Sequence, residues 1–340
     1  MSKKNKPIRI KLIANLGAGD AAESAKNLKQ VTGYLEKRGF KVDVALAKPK
    51  EKATPIARRA VKDGYKIVVA MGGDGTIEAV MRGLIGSKVH LGIIPNGTEN
   101  NIALSLGLSK NLEEACTLIS SDNARKLDMG QVTTSKGKKF LFFEMATVGL
   151  AAAVYPDASK VANGKLTSIK DAASTIIRQD IKPLVYMTFN GESKISTETM
   201  LVMVSNTPVF GKNFLVAPQA SLHDGLLDIS VYPGFSKAEL LGYYAAVMGG
   251  GYSGDGKVQH YQAHKLKIKS TPKLEVMADG APLGKGTVTI KVRPGALRVI
   301  ANKLSPGVEN PQQDAGEKLP VPVPVTEQND HHEEASILIG

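Results

Sequence analysis

An apolar run ends in MGGDGT, residues 71 to 76, where Gly72, Gly73 and Gly75 surround a single carboxylate, Asp74. The glycines let the backbone approach a ligand closely, and the helical pattern beginning near Thr76 would aim amide N–H groups and a helix dipole at an anion. Asp74 could polarise an attacking hydroxyl or act through Mg²⁺ on phosphate oxygens. Gly-Asp-Gly is equally common turn chemistry, so the segment alone leaves a structural turn open. The next apolar run ends in IIPNGTENN, which supplies a flexible Gly97, a hydroxyl at Thr98 and amides at Asn100 and Asn101. Two such loops on adjacent strands can pinch a nucleotide. A third loop, IANLGAGD, adds Asn15 and two glycines, without the GxxxxGK[ST] of a P-loop or the GxGxxG of a dinucleotide fold.

Loops so far apart in sequence need a scaffold that gathers them. Over the first 130 residues, short apolar runs (IRIKLIAN, FKVDVALA, YKIVVAM, VHLGIIP) alternate with helical stretches at 21–38, 54–63 and 76–85, then near 101–107 and 111–120. That is the pattern of an α/β domain with a parallel sheet, and the three loops fall at the C-terminal edge, where such sheets bind ligands. From about Arg125 the chain turns β-rich, through segments such as RKLDMGQVTT, KKFLFFEMATVG, LVYMTFN, HKLKIKS and GTVTIKVR, and predicts a mostly antiparallel second domain. Two helical stretches interrupt it, KLTSIKDAASTIIRQ and SKAELLGYYAAVMGG. They read as covers for the sheet or as faces that meet a membrane or admit a lipid.

At 340 residues the chain is long enough for two cores, and 42% hydrophobic and 22% charged residues are ordinary globular values. No apolar run approaches the roughly 18 residues of a membrane-spanning helix, and the basic N-terminus lacks a secretory apolar stretch, so the expected protein is cytoplasmic, soluble or peripheral at the inner membrane face. Cys116, the single cysteine, reads as a buried helix position. The net charge is +12, but the seven acids and one lysine after Lys303 leave 43 basic and 25 acidic residues, +18, before it. Anionic partners are favoured, either nucleotide phosphates or lipid headgroups. Nucleic acid is not expected, because the basic residues are scattered and no recognition module accompanies them. Residues 305–340, with LPVPVPV and NDHHEEAS, read as a disordered tail in which His331 and His332 are solvated.

Three motifs in order, MGGDGT, IIPNGTENN and VAPQASLHDGLLDI, make the chain resemble the bacterial diacylglycerol kinase-like lipid kinases, relatives of sphingosine kinases and more distantly of NAD kinases. The resemblance covers residues 8 to about 302. It implies an NAD-kinase-like nucleotide-binding α/β domain over 8–128, completed by about 294–303, a β-sandwich substrate domain over 129–293, and an active site between them. It further implies ATP and Mg²⁺ as cofactors, a lipid such as diacylglycerol as substrate, and peripheral contact with a membrane; a homodimer is left open. By motif matching, Gly73, Asp74, Gly75, Thr76 and Thr98 would meet the nucleotide phosphates or their Mg²⁺, with Asn15, Gly72, Gly97 and Asn100 completing the loops. Asp74 would be the catalytic residue. Ser221 and Leu226 by carbonyl and Asp224 by carboxylate would hold a second, structural Mg²⁺, oxygen donors that suit a hard ion. Asp224 reads equally as a turn residue of HDGLLD.

Three departures stand against the family pattern. The usual Glu of the first motif is Ala79 here, with an acid one position earlier at Glu78. Glu99 occupies a Gly position and Asn101 an Asp position in the second motif. The late Asp-Gly-Glu, whose Glu serves as base in several members, reads Asp279, Gly280, Ala281. A methyl group cannot accept a proton, so either Asp74 acts as base by itself or the chain binds nucleotide without turning it over.

Overall fold

The computed structural model describes residues 7–17, 21–47, 52–98, 100–121, 123–150, 183–210, 214–215, 217–248 and 256–302. The helix expected over 165–179, the tail beyond 305, Gly19 and Glu99 lie outside the described residues.

Strands β1 (Ile8–Ala14), β2 (Phe40–Leu46), β3 (Ile67–Gly72) and β4 (His90–Pro95) alternate with helices α1 (Ala21–Lys37), α2 (Ala53–Lys62), α3 (Asp74–Leu84), α4 (Asn101–Ser105) and α5 (Leu112–Ser121). The strands pair in parallel in the order β2, β1, β3, β4. Every residue of IVVAMG in β3 is buried, as a central strand covered on both faces requires. The period of two then sorts its side chains. Ile67, Val69 and Met71 pack with Val31 and Leu35 of α1 and Cys116 and Ile119 of α5, whereas Val68 and Ala70 pack with Ala57 of α2 and Ile77 and Met81 of α3. Burial pushes the Cys116 thiol up to about 11, so it stays protonated and inert in this core.

The remainder forms β5 (Ala124–Thr134), β6 (Lys139–Phe142), β7 (Met145–Gly149), β8 (Leu184–Phe189), β9 (Ser193–Ser205), β10 (Val209–Phe210), β11 (Phe214–Leu215), β12 (Leu227–Pro233), helix α6 (Lys237–Met248), β13 (Gln259–Ala263), β14 (Lys265–Thr271), β15 (Glu275–Ala278), β16 (Ala281–Lys285) and β17 (Val288–Ile300). These build a sandwich. One layer contains β9, β8, β14, β17, β5 and β6; the other contains β16, β15, β7, β9, β12 and β13. The long β9 serves both, pairing with β8 through Ser193–Glu198 and with β7 and β12 beyond it. Between the layers, Val185, Met187, Leu266 and Ile290 meet Val148, Val202, Val204 and Ile229.

Two strands tie this sandwich to the α/β unit. β17 pairs antiparallel with β14 over Val288–Lys291 and then, past a register shift between Arg293 and Leu297, runs parallel to β4 at Arg298 and Val299. β5 follows it along its length. Pro294 at the shift has no N–H for a ladder, which is why the strand bulges there. Asp128 of β5, 3% exposed, fills the bulge, its Oδ1 accepting the Gly295 N–H at 2.7 Å.

The sequence pattern differs from the structure in several places among the described residues. Helix α3 starts at Asp74, two residues before the expected Thr76. The run at 138–149 breaks into β6 and β7, because the amides of Phe143, Glu144 and Met145 donate to the Asp279 carboxylate instead of to a ladder. β13 and β16 are strands whose sequences, QHYQA and APLGK, carry little apolar alternation. No helix among the described residues is long and apolar enough to cross a membrane.

Candidate functional site

The loops after β1, β3 and β4 meet at the C-terminal edge of the parallel sheet. Their contact is set by glycine. A Cβ on Gly97 would lie 2.4 Å from the Gly73 Cα, so these two backbones approach in a way no other residue permits, and one on Gly72 would lie 2.8 Å from the Cβ of the Thr76 side chain packed over it. Asn100 closes the second loop upon itself. It adopts a left-handed backbone, φ 61°, while its Oδ1 accepts the Gly97 N–H at 2.9 Å and its Nδ2 donates to the Gly97 carbonyl at 2.7 Å. Asn15 joins the first loop to the others: its amide donates to the Met71 carbonyl at 3.0 Å and its Nδ2 to the Thr76 Oγ1 at 3.2 Å.

Asp74 sits at the start of α3, after Gly73 in extended conformation at the N-cap. Its Oδ1 accepts the Ile102 N–H of α4 at 2.9 Å, which holds the carboxylate between the two loops. Gly75 lies in the first turn of the same helix, and Thr76 is buried behind it with its hydroxyl turned to Asn15. Thr98 is exposed at the rim. The structure thus gathers Asn15, Gly72, Gly73, Asp74, Gly75, Thr76, Gly97, Thr98 and Asn100 at one helix N-terminus, a place that suits a phosphate.

The Ser221, Asp224 and Leu226 loop belongs to the second domain and is anchored to the first. Leu222 packs into the α/β core beside Met129 and Phe143, and its carbonyl accepts the Asp128 N–H at 2.7 Å. Asp128 reaches both ways, since its Oδ2 accepts the Gly225 N–H at 2.7 Å while its Oδ1 holds Gly295. Asp224 turns Oδ1 onto the Leu226 N–H at 2.9 Å. Desolvation holds the Asp224 carboxyl above its usual range, and the neighbouring Asp128 charge adds to this. Both Asp128 oxygens are taken by amides, and no group of three His, Cys, Asp or Glu that could hold a metal forms among the described residues. Any such ion there relies on carbonyls and water as well as carboxylate.

The departures from the family motifs also find their places. Ala79 is 7% exposed, inside the α/β core, so an acid there would be buried; Glu78, one helix position away, is ion-paired with Arg82 at 3.0 Å. Arg82 in turn lies over the Phe140 ring, 4.9 Å from its centroid, where α3 meets the second domain. Asp279 has φ 41°, and its carboxylate takes three amides, those of Phe143 at 2.6 Å, Glu144 at 3.0 Å and Met145 at 3.1 Å. Burial still wins over these donors and pushes its pKa up to about 6. Two residues the motif reading passed over also matter. Asp128 stands in RKLDMGQ as one more polar residue of an alternating strand, and only the bulge reveals its double role. Asn96 donates to the Ser24 Oγ at 3.2 Å and accepts from Asn27 at 2.9 Å, which fixes α1 against the second loop. Its place inside the PNGT turn was the only signal.

A parallel α/β unit with a glycine-lined loop edge is thus fused through β5 and β17 to a β-sandwich. The model of the diacylglycerol kinase catalytic domain matches residues 9–132, and that of the YegS C-terminal NAD kinase beta sandwich-like domain matches residues 146–301. A Pseudomonas aeruginosa protein named "Probable lipid kinase YegS-like" is 30% identical over 266 residues, covering 77% of this chain and 85% of that one. A Mycobacterium tuberculosis diacylglycerol kinase is 27% identical over 288 residues, 84% of this chain and 91% of its own. A crystal structure of a diacylglycerol kinase from Bacillus anthracis str. Sterne superposes with a TM-score of 0.67 at 22% identity, over 88% of this chain and 99% of that one, a likeness of fold. The chain belongs to the diacylglycerol kinase-like family of lipid kinases, enzymes that transfer a phosphoryl group to an alcohol.

Proposed function

We propose that the protein is an ATP-dependent lipid kinase that transfers the γ-phosphoryl group to the hydroxyl of a lipid such as diacylglycerol, working at the cytoplasmic face of a membrane. The observation that carries this is the position of Asp74, a carboxylate pinned by the Ile102 amide at the mouth of two glycine loops. ATP phosphates lie along Gly73, Gly75, Thr76 and Thr98, with the α3 dipole directed at their charge. The acceptor oxygen attacks the γ-phosphorus as the bond to the bridging oxygen breaks; ADP leaves with the electron pair, and the acceptor proton passes to Asp74. Mg²⁺, when bound with the nucleotide, supplies charge neutralisation on the phosphate oxygens. Ser221, Asp224 and Leu226 form the second cation loop. Through Asp128, that loop braces the β17 bulge between the two domains.

A second reading has one observation in its favour. Ala281 offers no carboxylate where several family members carry their base, which suits a nucleotide-binding protein at the membrane surface with weak or no turnover; separately, a fold does not fix an acceptor, so a kinase of a small soluble alcohol is the further alternative. Incubation of the purified protein with labelled ATP, Mg²⁺ and detergent-dispersed diacylglycerol, beside a panel of soluble alcohols, separates the readings. Labelled phosphatidic acid is the expected product. Nucleotide binding without transfer to any acceptor would sink the kinase reading.

A further inference from the structure

The outer face of the sandwich layer built from β9, β8, β14 and β17 is predominantly basic. β14 alternates exposed and buried positions throughout, with Leu266 and Ile268 in the core and Lys265, Lys267 and Lys269 pointing out. The same alternation brings Lys194 of β9, Lys291 and Arg293 of β17 to this face. The outward positions of these four strands hold one acid, Glu198, at the margin beside Leu184. None of the five lysines forms an ion pair among the described residues.

An antiparallel sheet commonly leaves one face to water, but such faces usually mix both signs. Here the register works against the fold's own stability. Lys265 stands directly opposite Lys291, and like charges in that relation repel. Thr188 separates Lys194 from Lys267, and Tyr186, 44% exposed, lies between Ser196 and Lys269. With strands about 4.8 Å apart and alternate residues about 7 Å apart, neighbouring cations such as Lys265 and Lys291, or Lys265 and Lys267, lie within a Debye length, about 8 Å at physiological salt. A planar anionic partner would meet them together.

We propose that this face docks the protein on a bilayer containing anionic phospholipid; the assignment rests on the lipid-kinase reading for its choice of partner. Lysine side chains reach headgroup phosphates as point charges, and Tyr186 suits the headgroup boundary with an apolar ring and a polar tip. Single-stranded nucleic acid is disfavoured because the face offers one aromatic ring where successive bases need several.

Cosedimentation with vesicles tests this, using phosphatidylcholine alone and phosphatidylcholine mixed with phosphatidylglycerol. The proteins compared are the full chain, the variant Lys265→Gln/Lys267→Gln/Lys269→Gln, and a control with the same charge loss elsewhere, Lys29→Gln/Lys37→Gln/Lys110→Gln. The wild type should bind the mixed vesicles in a salt-sensitive way. The sheet variant should lose about fivefold per lysine, on the order of a hundredfold in all, and the control far less. Equal loss in both variants, or no preference for anionic vesicles, would overturn the docking face, as would binding of a single-stranded RNA homopolymer as tight as that of the vesicles at the same salt. Turnover of a dispersed short-chain diacylglycerol should be alike in wild type and sheet variant. No turnover in either, with the vesicle pattern intact, would contradict the kinase reading and leave the docking face standing.

Discussion

Asp74 and Asp279 read alike in sequence, each an aspartate followed by glycine at the end of an apolar run. In the structure they do opposite work. Asp74 is held by one amide at a helix start, between two loops whose glycines touch. Asp279 spreads both oxygens over three consecutive amides and is desolvated enough to be pushed up to about 6. Identical local chemistry gives a carboxylate held by a single amide in one place, the proposed reagent, and a clasp in the other, and what separates them is which distant backbone comes to meet the carboxylate.

The largest expected effect lies on the clasp. Asp279→Ala leaves the amides of Phe143, Glu144 and Met145 without their acceptor and places alanine at a positive φ, costing about 3–5 kcal/mol of stability, and urea unfolding should register it. A loss under about 1 kcal/mol would erase the contrast. The next concerns pH. Burial pushes Asp228 up to about 7 and Asp279 to about 6, whereas an unfolded aspartate titrates near 4. The folded chain therefore binds these protons more tightly than the unfolded chain. Their stabilisation is full below about pH 4 and is drawn down as pH rises through 6 to 7. Asp228→Asn removes its part of that loss, on the order of 4 kcal/mol, so unfolding of wild type and variant at about pH 5 and pH 8 should diverge most at the higher value, in the variant's favour. Parallel curves would contradict the burial argument.

On the other side of the comparison, Gly97→Ala forces a Cβ against the Gly73 backbone and parts the two loops. The cost to stability is about 1–3 kcal/mol, and nucleotide affinity measured by calorimetry should fall by roughly tenfold or more. Unchanged affinity would mean that the loop contact does not shape the site.

How much of this was legible beforehand follows the same divide. The four parallel strands and their loops are local events, written in apolar runs that end in glycine or asparagine, and so is the antiparallel character of the second half. The β17 bulge, the split between β6 and β7, and the reach of Asp128 from Gly225 to Gly295 depend on partners some 97 to 167 residues away, which leave no mark on composition or period. β13 and β16 escaped because their residues are mostly polar or small and are strands only by virtue of β12 and β15 beside them.

The central claim is that Asp74 acts on the acceptor while the cradle around it holds the nucleotide. Asp74→Asn keeps an oxygen for the Ile102 amide and loses the carboxylate, so the variant should fold normally and bind nucleotide within a few-fold of wild type. Its kcat for phosphoryl transfer should fall by roughly 10²–10⁴. Transfer at the wild-type rate in that variant, with the fold and nucleotide affinity unchanged, would contradict the account.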